Sequence, residues 1–109
     1  MKSLNTVKFI ATAAVDVSNY LDLIRNAENY DTAKKAASRL IGYLDCMISF
    51  NNTLICKENN GLTSDLDEQL VEWHASVYGT LADKAITTEQ DSDLIAKLLK
   101  ERDVILESR

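Results

Sequence analysis

The chain has 109 residues, of which 46% are hydrophobic and 27% charged, and its net charge is −5. That length suits one domain with a core large enough to need no staples, and the balance of apolar and charged residues sets it apart from the disordered class. The acidic excess removes the basic footprint of a nucleic-acid binder, and no stretch approaches the ~18–20 apolar residues of a membrane span. There is no proline and only three glycines, which favours helix over strand throughout. Lys2 and Ala11-Thr12-Ala13 faintly imitate a signal peptide, but Asn5, Thr6 and Lys8 interrupt what should be its apolar region, so no export is expected.

The first helix is predicted over residues 3–27. Val7, Ile10, Ala14, Val17, Leu21 and Ile24 recur at spacings of three and four, the seam of helices packed at a shallow angle. Phe9, Ala13, Tyr20 and Leu23 lie away from that seam. They face either a second neighbour or a protein partner, and with two aromatic residues among them these four are the candidate partner surface. Asn29 or Asp31 is positioned to cap the next helix, and so short a connection forces the two helices to run antiparallel.

A second helix is predicted over 31–56. Ala33, Ala37, Leu40, Ile41, Leu44, Met47, Ile48, Leu54 and Ile55 fall on one arc of its wheel, flanked by Ala36, Tyr43 and Phe50. The arc covers roughly half the helix, wider than the ~100° stripe of a helix packed on one side only, so this is read as the central helix. Lys57 to Gly61 reads as a turn. Ser64 with Asp67 resembles a capping box for a third helix over 64–86, with Leu66, Leu70, Trp73, His74, Val77, Leu81 and Ala85 as its stripe and Val71 and Tyr78 at one edge. Thr87 or Thr88 is expected to cap the last helix, 88–107, whose inner face is Leu94, Ile95, Leu98 and Ile105. Four amphipathic helices with short connections make an all-α, antiparallel up-down-up-down four-helix bundle the economical architecture. The generous apolar arcs of the first two helices also allow a homodimer that shares one larger bundle.

Residues able to carry chemistry are few. His74 is the one histidine; it lies inside the apolar stripe, and Ser76 and Thr80 complete no nucleophile–base–orienter set with it. Bundle di-metal centres need several inward carboxylates with Glu-x-x-His pairs, whereas Glu72 precedes His74 by two residues, so neither metal nor cofactor is expected. Cys46 and Cys56 would be about 15 Å apart along one helix, too far to bridge, which fits free thiols in a reducing cytoplasm. Asn51 falls in the middle of the second helix's apolar arc, as a register-fixing buried amide or as one wall of an open end.

By elimination the expected function is binding of a protein partner without catalysis, in the manner of an inhibitor or immunity protein, a chaperone or a mobile-element regulator. The alternative is a small-molecule-binding bundle or weak enzyme with a pocket around Asn51, Trp73, His74 and Tyr78. A structural homodimer is the third reading.

Overall fold

The computed structural model describes the backbone of residues 4–58 and 62–107, and the side chains of residue 8, residues 10–49 and residues 66–107. Within them lie four helices: α1 (Leu4–Asn26), α2 (Tyr30–Glu58), α3 (Leu62–Thr88) and α4 (Ser92–Glu107). Consecutive helices pack on each other as an antiparallel four-helix bundle does. None of them is long and apolar enough to cross a membrane. Of the turn predicted over Lys57 to Gly61, Lys57 and Glu58 belong to α2 and residues 59–61 lie outside the described residues, as do the side chains of Ser64, Val7, Phe50, Leu54, Ile55 and Cys56.

Helix ends follow local hydrogen bonding. Asn29 Oδ1 accepts from the Thr32 amide at 2.9 Å and caps α2. The open carbonyl of Arg25 in the last turn of α1 accepts from Lys84 Nζ at 3.0 Å, tying the end of α1 to α3. At the start of α4 the expected threonine cap is corrected. The Thr87 and Thr88 hydroxyls donate back to the Lys84 carbonyl at 3.0 and 2.8 Å, so α3 runs on through both. Asp91 caps α4 instead, its Oδ1 accepting from the amides of Asp93 and Leu94 at 3.1 and 3.2 Å. Aspartate is among the strongest N-caps and its charge suits the positive end of the helix dipole, whereas threonine at the end of a helix can satisfy itself on its own carbonyls. The turn between them closes with the Glu89 and Gln90 amides both donating to the Ala85 carbonyl at 2.9 Å, and Gln90 takes a left-handed φ of 51°.

Burial follows the predicted stripe on α2, where Ala33, Ala37, Leu40 and Leu44 are fully buried and Met47 nearly so. The central position, however, belongs to α3. It packs against α1, α2 and α4, whereas α2 meets α1 and α3. The reason is a second buried face. Leu66, Leu70, Val77, Leu81 and Ala85 bury one side of α3, while Ala75 and Ala82, roughly 140–160° round the helix from Val77, are also buried. Gly79 shares that second face and lies under Arg102 of α4. Small side chains there let α4 approach closely, and they add little to any hydrophobic stripe read from sequence. The remaining pairings are unequal: α1, α2 and α3 all touch one another, but α4 packs against α3 alone among the described residues.

Candidate functional site

The predicted partner strip on α1 is broken up by the structure. Ala13 is 2% exposed and belongs to the core. Tyr20 is half-buried, its ring 6.1 Å from that of Tyr43 on α2. Leu23 is exposed, and the side chain of Phe9 lies outside the described residues. The correction has a simple cause: α1 packs against two helices, α2 and α3, so its buried arc spans both the Val17–Ile24 seam and the Ala13–Tyr20 edge. Among the described residues the large apolar side chains left exposed on α1 are Leu23 and Val15, about 80° apart on the wheel.

The second predicted group separates in a different way. His74 and Tyr78 stand one turn apart, with ring centroids at 5.8 Å and planes tilted by 48°. Trp73, consecutive with His74, points about 100° away. It shares its side of α3 with Thr80 and Lys84, the latter bonded to the end of α1. Trp73 thus stands on a different side of α3 from the His74–Tyr78 pair. The Asn51 side chain lies outside the described residues.

Around Tyr78 the helices leave a valley. α2 and α4 both rest on α3 and do not touch each other among the described residues, and His74 and Tyr78 on α3 are half-buried. Burial pushes the Tyr78 phenol up from its usual range, and the carboxylates of Glu101 on α4 and Asp45 on α2 push it further. One phenol thus feels an acid on α2 and another on α4. Nothing in the sequence spacing of Asp45 and Glu101 announces that both act on one tyrosine. Chemically the valley offers two aromatic faces, a hydroxyl, an imidazole and two acidic rims. Among the described residues no group of histidine, cysteine, aspartate or glutamate side chains is arranged to hold a metal ion.

Cys46 is a free thiol on the exposed side of α2. Because α2 is continuous to Glu58, Cys46 and Cys56 are ten residues apart on one helix, about 15 Å along its axis, beyond disulfide reach.

Comparison with protein-family models, with curated proteins and with solved structures finds no match to this chain.

Proposed function

We propose that the chain is a protein-binding module that acts through the valley between α2 and α4. One observation carries the reading: two helices pack on α3 without meeting each other among the described residues, and His74 and Tyr78 stand ring to ring and half-buried on α3. A valley running along helix axes is the shape into which an amphipathic helix of a partner lays its apolar face. Aromatic side chains are the residues on which such binding concentrates. Asp45 and Glu101 on the walls, in a chain of net charge −5, favour a partner helix flanked by lysine or arginine. An inhibitor, an immunity protein or a chaperone works by this kind of occupancy, with no bond made or broken in the module itself.

The test pairs capture with a surface variant. The wild-type chain and a His74→Ala/Tyr78→Ala double variant are used as bait in lysate of the native host, and retained proteins are identified by mass spectrometry. The expected outcome is a protein retained by the wild type and reduced about tenfold or more on the variant, whose helical circular dichroism persists. Equal retention by both baits, or no specific retention by either, overturns the reading.

A further inference from the structure

Where the end of α1 meets the last turns of α3, a solvent-open cavity of about 270 Å³ is lined by Arg25, Thr80, Asp83, Lys84 and Thr87, of which Thr80 alone is buried. Thr80 is the anomaly in it. Only 9% of its surface is exposed, and it is the one polar side chain among the buried described residues. Its hydroxyl has no hydrogen-bond partner among them, although Ser76, Thr87 and Thr88 on the same helix all donate to a helix carbonyl. Buried polar groups are nearly always satisfied, so a buried hydroxyl on the wall of a cavity is placed to be satisfied by what fills it.

The charges around the cavity are also uncommitted. Lys84 donates to the neutral carbonyl of Arg25 and makes no ion pair among the described residues, which leaves two of its N–H groups. Asp83 has neither an ion pair nor a hydrogen bond among them. Arg25 pairs with Asp22 at 3.0 Å through one of its five N–H donors. A simple anion entering here meets Asp83 and the negative end of α1; a simple cation meets Lys84 and Arg25. A ligand carrying both signs on neighbouring atoms meets neither penalty. The volume lies below the ~300–1,000 Å³ of drug-sized pockets, which limits that ligand to a small molecule.

We propose that this cavity binds a free α-amino acid, with its carboxylate on Lys84, Arg25 and the Thr80 hydroxyl and its ammonium on Asp83. Thr87, whose hydroxyl hydrogen is used on its own helix, retains a lone pair for the ammonium. Thr80 stands about 200° round α3 from Tyr78, so this site is separate from the α2–α4 valley.

The test is an amide chemical-shift titration of the whole chain with glycine and with L-serine, against acetate and methylammonium as ligands of one charge each. Both amino acids are expected to shift the amides of residues 80–87 to saturation, and the single-charge ions to leave them unsaturated at about tenfold higher concentration. Thr80→Val keeps the side-chain shape and removes the hydroxyl. Without ligand it is expected to melt above the wild type, because the unpaired group is gone, and to bind the amino acids about tenfold or more weakly. Asp83→Asn is expected to lose the preference for amino acids over acetate. Saturation by acetate or methylammonium equal to that by the amino acids overturns the proposal. So does the absence of saturation by any of the four, or unchanged affinity in Thr80→Val.

Discussion

Tyr43 shows how one polar contact is built into an apolar seam. Its hydroxyl donates to Asp16 Oδ2 at 2.9 Å across the α1–α2 contact, beside the ring of Tyr20. Burial first, then the bond to Asp16, push its phenol up to about 12 from 10.0. A proton held more tightly in the folded state than in the unfolded state stabilises the fold at every pH below the unfolded value, and that contribution disappears as pH rises through the folded value. Stability of the wild type is therefore expected to fall between pH 10 and about 12, and Tyr43→Phe to remove that part of the fall. At neutral pH the same change should cost about 1 kcal/mol, since the bond joins a neutral donor to a charged acceptor at a half-exposed site. Urea midpoints of both proteins across that pH range check both statements; parallel pH profiles would deny Tyr43 the role. None of this was legible in the sequence, where Tyr43 read as one flank of an apolar arc and Asp16 had no assigned part. Pairing across helices depends on the rotation of each about its axis, which a single wheel leaves free. Caps were more readable, because Asn29 acts on an amide three residues away. Even so, Asp91 was passed over for Thr87 and Thr88.

At the scale of the element, α3 is where periodicity says least and packing most. Large residues mark its first face and were read correctly; its second face consists of Ala75, Gly79 and Ala82, with no side chain large enough to register as a stripe. The same weakness of small residues placed Ala13 outside the core of α1. Close approach at this second face makes a sharp prediction. A methyl added at Gly79 meets Arg102 Cδ at 3.5 Å, an ordinary contact, and one added at Gly42 meets nothing within 4 Å. Both glycines stand inside helices without a positive φ, so Gly79→Ala and Gly42→Ala should each stabilise by about 0.5–1 kcal/mol. Ala82 is fully buried, and Ala82→Leu should instead cost about 1–3 kcal/mol by forcing α4 away from α3. Chemical denaturation of the three variants measures all of this. A neutral Ala82→Leu would mean that the α3–α4 contact has slack, and would remove the reason given for the central place of α3.

For the whole molecule the consequential feature is unequal attachment. Among the described residues each of α1, α2 and α3 is held by two or more helices, while α4 is held by α3 alone and has one buried residue, Leu98. Opening free energy in a folded protein follows the apolar contact that an opening breaks, so elements with one neighbour open below the global limit. Detaching α4 exposes Leu98 and the small face of α3 but leaves the Leu40–Leu44–Ile24–Val77 centre intact. Native-state hydrogen exchange is expected to show amides of 96–106 exchanging through a sub-global opening, while those of 33–47 exchange only with global unfolding. Two variants separate the levels. Leu40→Ala, at the fully buried centre, should lower the protection of both segments by about 2–5 kcal/mol. Leu98→Ala should lower the protection of α4 by a comparable amount, and should lower that of α2 only as far as global stability falls. The valley proposed for partner binding has α4 as one wall, so an occupant that touches both walls bridges α4 to α2 and must raise the protection of 96–106 when bound. Uniform protection across all four helices in the free protein would instead show a single cooperative unit, with α4 as firmly held by one neighbour as the others are by two.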